Sequence, residues 1–134
     1  MDYKPELTKW SLYNISGLVA DNRIDFSIVN RNLLWTRQTK NDYIRCVLDE
    51  TRWEMNRELV FNKIGKSNYE CIDGNRRIKA LCDYIKSKQF AELDETSKGK
   101  LFEAEFDVYI FDDLFSHFDN PFDVVKYIYD NNWR

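Results

Sequence analysis

The stretch YECIDGNRRIKALCDYI, Tyr69 to Ile85, constrains this chain more than any other part of it. An apolar strand pattern through Cys71 and Ile72 stops at Asp73-Gly74. Ile78, Leu81, Cys82 and Ile85 then recur at the spacing of one helix face. Only four glycines occur in 134 residues, so a glycine at this junction implies a positive φ or a close backbone approach. Arg76 and Arg77 fall in the first helical turn, the end that already carries partial positive charge. An anion resolves that conflict. A strand-turn-helix gathers backbone N–H groups at one point, and guanidinium forks suit phosphate oxygens. Asp73 would there hold Mg2+, orient an arginine or cap the helix. A plain solvated helix start is the competing reading, since the segment lacks the Gly-x-x-x-x-Gly-Lys-Ser/Thr pattern of a phosphate-binding loop.

Length points to one domain over residues 1–134, and the 43% hydrophobic and 16% aromatic content argues for a folded chain over a disordered one. No apolar run approaches the roughly 18 residues of a membrane span. The opening MDYKPELTKW lacks a signal-peptide pattern, so a cytoplasmic protein is expected. Cys46, Cys71 and Cys82 form no CxxC pair and read as reduced core residues, and one histidine, His117, leaves little for a zinc site. Charge is uneven: residues 1–90 hold 16 Lys+Arg against 12 Asp+Glu, whereas residues 91–134 hold 4 against 11. A generic nucleic-acid binder is strongly basic throughout, and this chain is not. A mildly basic body with an acidic C-terminal third suits a small anionic ligand plus a protein contact or a solvated face.

The remaining pattern predicts a mixed α+β domain with a small sheet and three to five helices. A short strand is expected near Trp10–Tyr13, a helix from about Ser16, and a strand through Ile24, Phe26 and Ile28. Thr39 and Asp42 resemble a capping box before a helix whose inner face carries Tyr43, Ile44, Val47, Leu48 and Thr51. Residues 57–64 and 68–72 read as strands around a turn at Gly65. TSKGKLFEAEF reads as a polar connection and residues 106–111 as a strand. A short helix follows at DDLFSHF. Asn120-Pro121 then starts a last helix with Phe122, Val125 and Tyr129 inward.

The segment YECIDGNRRIKALCDYI resembles the signature of the ParB/sulfiredoxin superfamily. It is most similar to the N-terminal domain of GmrSD-type (type IV) restriction proteins, whose motif reads Ile-Asp-Gly-Gln-Gln-Arg. NRNLLW (30–35) resembles that family's Gln-Arg-x-x-x-Trp element, and KGKLFEAEFDVYIF resembles the stretch leading into its later strand. The likeness spans about residues 10–112 and leaves 113–134 as an acidic helical extension.

The resemblance implies a ParB/sulfiredoxin-like fold and a nucleotide site for an NTP with Mg2+. Asp73, Gly74 and Arg77 stand at the Asp, Gly and Arg of the motif, and Arg31 and Trp35 at the upstream Arg and Trp. Asn75-Arg76 replaces Gln-Gln, which favours binding over NTPase chemistry, in which Asp73 and Arg77 would act. The GNRR run is also similar to the Gly-Glu-Arg-Arg of ParB proteins that bind CTP, with Asn75 in place of the acid. Sulfiredoxin chemistry needs a cysteine where Asn75 stands. The His-Asn-His nuclease domain of GmrSD-type proteins has no counterpart in the 22 residues after Asp112.

Several residues carry two readings. Trp35 stacks on a base or packs in the core. Lys40, Arg45 and Arg52 form a solvated face or lend one cation to a phosphate. Asp112-Asp113 joins Asp73 on a metal or favours a helix N-terminus. Two functional expectations follow from these residues and the resemblance: a nucleotide-binding protein related to restriction and phage defence, or a non-catalytic phage or mobile-element protein that acts by binding a host protein or DNA.

Overall fold

Strands that carry apolar side chains on both faces need cover on both faces. The computed structural model describes residues 4–27, 36–49 and 57–130, and it meets that need with a five-stranded mixed sheet. The strands are β1 (Glu6–Ser11), β2 (Ile24–Asp25), β3 (Glu58–Ile64), β4 (Asn68–Asp73) and β5 (Glu105–Asp112), in the order β1-β5-β3-β4-β2. A β3–β4 hairpin turns at Gly65, whose φ of 64 lies in the left-handed region. β5 runs parallel to β3 and antiparallel to β1, and β2 runs parallel to β4. Six helices accompany the sheet among the described residues: α1 (Leu12–Ala20), α2 (Arg37–Asp49), α3 (Asn75–Ile85), α4 (Lys88–Ala91), α5 (Glu95–Glu103) and α6 (Pro121–Tyr129). A 3-10 turn spans Leu114–His117. The α+β class read from the pattern is the class observed.

The central strand β3 divides its side chains strictly by face. Leu59 and Phe61 join Cys71, Phe106 and Val108 under α1, α2, α3 and α5, where Leu12, Ile15, Ile44, Val47, Ile78 and Leu81 complete the larger core. Val60, Ile72 and Phe111 face the other way, against Leu114 of the 3-10 turn and Val124 and Ile128 of α6. Asn62, 3% exposed, lies on this second face. Its Oδ1 accepts the Leu114 N–H at 2.9 Å and its Nδ2 donates to Glu70 Oε1 at 2.8 Å, so a buried amide is satisfied while it pins the 3-10 turn to the sheet.

Four local expectations are corrected. β1 ends at Ser11, because the Ser11 hydroxyl accepts the Asn14 N–H at 3.1 Å and starts α1 at Leu12, well before Ser16. α2 begins at Arg37 under a Thr36 cap that accepts the Thr39 N–H at 3.1 Å. Asp42 instead takes the Gln38 amide, so the Thr39–Asp42 pair is no capping box. The expected connection at TSKGKLFE is helix α5, capped by Asp94, whose Oδ1 accepts the Ser97 N–H at 2.6 Å; Leu101 anchors it in the core. The strand through Ile24 and Phe26 narrows to Ile24–Asp25, and Ile28 and Thr51 lie outside the described residues.

The last helix starts as expected, with Asn120 Oδ1 accepting the Asp123 N–H at 3.0 Å and Pro121 opening the first turn. Its facing is rotated from the expected one. Val124 and Ile128 are buried, Val125 and Tyr129 are half-buried, and Phe122 is 75% exposed. Two apolar stripes run along α6, and the sheet selects the slimmer i, i+4 pair that fits beside Leu114. Ile128→Ala is expected to lower unfolding free energy by about 2–4 kcal/mol, and Phe122→Ala to change it by less than about 0.5 kcal/mol. Urea denaturation at constant m-value checks both, and equal losses would contradict this facing.

Candidate functional site

The hairpin delivers β4 to the turn with Cys71 and Ile72 fully buried, one on each face. At Gly74 the chain turns sharply, with φ 113 and ψ 6, and this residue is the N-cap of α3. A Cβ built on Gly74 would overlap Leu59 Cδ2. Both features anticipated for this glycine are therefore present: a left-handed backbone, and a close approach in which any Cβ would have to displace the Leu59 methyl group.

The same absence shapes the helix start. Gly74 gives the first-turn amides of α3 no side-chain acceptor, and that turn holds no acidic residue. The other five helices each have one, from Ser11, Thr36, Ser87, Asp94 and Asn120. The positive end of an 11-residue helix thus meets Arg76 and Arg77 without a capping oxygen from its own N-cap.

Asp73 and Arg77 form the polar pair of the turn. Arg77 Nη2 lies 3.6 Å from Asp73 Oδ2, with side chains 15% and 36% exposed. The same Nη2 sits 3.6 Å from the place a Gly74 Cβ would occupy, so the guanidinium lies over the turn. At this exposure the pair adds little stability, and its effect is to orient the arginine. Of the three roles open to Asp73, the geometry displays this one.

Contacts to Phe26 tie the start of α3 to its surroundings. Asn75 Nδ2 donates to the Phe26 carbonyl at 3.2 Å, tying the start of α3 to the segment after β2. Lys79 Nζ stands 5.6 Å from the Phe26 ring centroid, a weak cation–π contact on the same seam. Tyr43 of α2 is buried close enough to Arg77 to feel its charge: burial pushes the phenol well above its ordinary range, and the guanidinium pulls the other way. Its apolar periodicity placed Tyr43 on the inner helix face, but no local signal related it to Arg77.

Cys71 lies beneath the turn, its Sγ donating to the Asp73 carbonyl at 3.6 Å. Burial drives its thiol far above the usual range. The Asp73 carboxylate adds to that rise, while Arg77 and Lys79 oppose it. A thiol held neutral in the core is no nucleophile. Cys82 is also buried and its pKa raised by that burial, while Cys46 is only half-buried, unlike the core position expected for it.

The motif residues Asp73, Gly74, Asn75, Arg76 and Arg77 are brought together at one helix end. Arg31, Trp35 and Arg52 lie outside the described residues. Lys40 and Arg45 are exposed on α2, and His117 is exposed in the 3-10 turn. Asp112 and Asp113 are exposed at the end of β5. Asp113 takes the N-cap position of the 3-10 turn with φ 55 but makes no side-chain cap bond. Among the described residues no three His, Cys, Asp or Glu side chains are grouped to hold a metal, so Asp112 and Asp113 do not join Asp73.

Gly74→Ala is expected to destabilise the protein by about 2 kcal/mol or more through positive-φ strain and overpacking. In a Leu59→Ala background the same change is expected to cost less, because only the backbone strain remains; equal costs in a double-mutant cycle would show that the Leu59 contact is not the constraint. A thiol reagent at neutral pH is expected to modify Cys46 in the native protein and to reach Cys71 and Cys82 only on unfolding. Mass spectrometry of the labelled peptides reads this out.

No protein-family model, curated protein or solved structure matches the chain, so the resemblance to the ParB/sulfiredoxin superfamily rests on the motif residues themselves.

Proposed function

We propose that this chain is a nucleotide-binding protein of the ParB/sulfiredoxin type, related to restriction and phage-defence proteins, which seats an NTP triphosphate on the N-terminus of α3. The observation that carries the reading is the Arg77 guanidinium laid across a helix start whose N-cap, Gly74, contributes no side-chain oxygen. Backbone N–H groups and a planar cation then converge on one position, the arrangement that phosphate oxygens favour.

In this reading Arg77 exchanges part of its contact with Asp73 for phosphate oxygens. Arg76 adds a second cation. By the resemblance, Arg31 and Trp35 supply a further phosphate contact and a stacking surface. A Mg2+ bound with the nucleotide fits a single carboxylate such as Asp73, because that ion usually takes one or two carboxylates plus phosphate oxygens, and it would neutralise phosphate charge. Binding is the primary assignment and hydrolysis is secondary, because Asp73 is engaged with Arg77 and Asn75 with the Phe26 carbonyl.

A thermal-shift panel tests the reading: ATP, GTP, CTP and UTP, each with and without Mg2+, on wild type, Arg77→Ala and Arg77→Lys. At 100 times its Kd a ligand adds about 2.7 kcal/mol, a shift of a few degrees for a domain of this size. The expected result is a shift with at least one nucleotide, abolished by Arg77→Ala and partly kept by Arg77→Lys. Absence of any shift in the wild type would overturn the assignment.

A further inference from the structure

We propose that α6 and the turn before it form a docking surface for a basic, lysine- or arginine-bearing segment of another protein. The surface is independent of the α3 site and lies on the other side of the sheet. Three kinds of observation converge on it.

The first is shape. A shallow, solvent-open depression of about 360 Å³ lies beside α6. Phe118 and Tyr127 form one wall, with ring centroids 5.5 Å apart, and Asp119, Asp123 and Asp130 stand round it with His117 and Lys126. A depression of this size admits one long side chain, and aromatic walls suit the aliphatic stem and charged head of lysine or arginine.

The second is charge that the fold does not use. Asp123 is held by the Asn120 amide at 3.1 Å, but the side chains of Asp119 and Asp130 make no hydrogen bond or ion pair with any described residue. Asp130 is moreover the C-cap of α6, the end at which a negative charge opposes the helix dipole. Three carboxylates against one lysine leave the depression negative, while residues 1–90 carry a net positive charge. Long-range attraction would therefore bring a basic partner to this face and away from the α3 face.

The third is an apolar anchor. Phe122, at the start of α6, is 75% exposed, and the half-buried Val125 and Tyr129 follow it on the same stripe at i+3 and i+7. Exposed phenylalanine beside an acidic rim gives a partner both an apolar contact and charge pairing, the composition of an interface centre and its edge. The same charge argues against nucleic acid, whose phosphates this face would repel.

The experiment uses the full chain and a labelled amphipathic peptide of leucine and lysine, about 14 residues long so that it can form a helix. A control peptide carries glutamate for lysine. Fluorescence anisotropy is read at about 50 and 300 mM salt, with amide chemical shifts mapped on the wild type. Phe122→Ser and the pair Asp119→Asn with Asp130→Asn are the variants, with melting temperatures taken to confirm that they fold. The expected result is saturable binding of the lysine peptide alone, weakened by salt, with shifts confined to residues 114–130. Each variant is expected to lose roughly tenfold in affinity or more. Absence of binding, or binding indifferent to both variants, would overturn the proposal. So would wild-type self-association that Phe122→Ser abolishes, because the occupant would then be a second copy of this chain.

Discussion

The approach of the Gly74 backbone to Leu59 is the contact on which the rest of the arrangement depends. Leu59 is fully buried on β3, the central strand, and its methyl group occupies the place where any other residue at position 74 would put its Cβ. This closeness lets α3 settle directly on the sheet, with Ile78, Leu81 and Cys82 against the same core. It also leaves the N-cap position of the helix without a side chain that could cap it. Asparagine tolerates a left-handed backbone, yet its Cβ would still meet Leu59. Tight packing on one side of the turn and a helix start without a side-chain cap on the other are thus two consequences of one constraint.

A sheet buried on both faces follows from the central strands. β3 and β4 are apolar at alternate positions on each side, so helices on one face would leave Val60, Ile72 and Phe111 in water. The 3-10 turn and α6 supply the second layer, and Asn62 holds that layer in register through the Leu114 N–H. Most of the acidic C-terminal third is thereby part of the fold. The charges of Asp119 and Asp130 are not.

What could be read in the chain beforehand was whatever short-range chemistry decides. Gly74, the strands of the hairpin, the inner face of α3 and the Asn120-Pro121 start of α6 each carry a local signal, and each appears where that signal put it. α5 was missed because its apolar content is thin: Leu101 alone is buried, and the polar stretch around it looks like a loop until Asp94 is seen capping it. The facing of α6 was missed for the opposite reason. Phe122, Val125 and Tyr129 form as good a helical stripe as Val124 and Ile128, and only the shape of the sheet beneath decides between them. At the turn, Asp73, Gly74 and Arg77 were legible as a group, whereas the packing of α2 on α3 that brings buried Tyr43 under the electrostatic influence of Arg77 is encoded by no local pattern.

The start of α3, where the N-cap Gly74 offers no side-chain oxygen, is proposed as an anion site. Titration of the 15N-labelled protein with pyrophosphate, followed through its backbone amide resonances, tests this most directly. The account predicts saturable shifts concentrated at Asn75, Arg76 and Arg77, with a smaller response at Gly74. Shifts confined to surface lysines elsewhere, or none at all, would contradict it and leave the turn as a packing device alone.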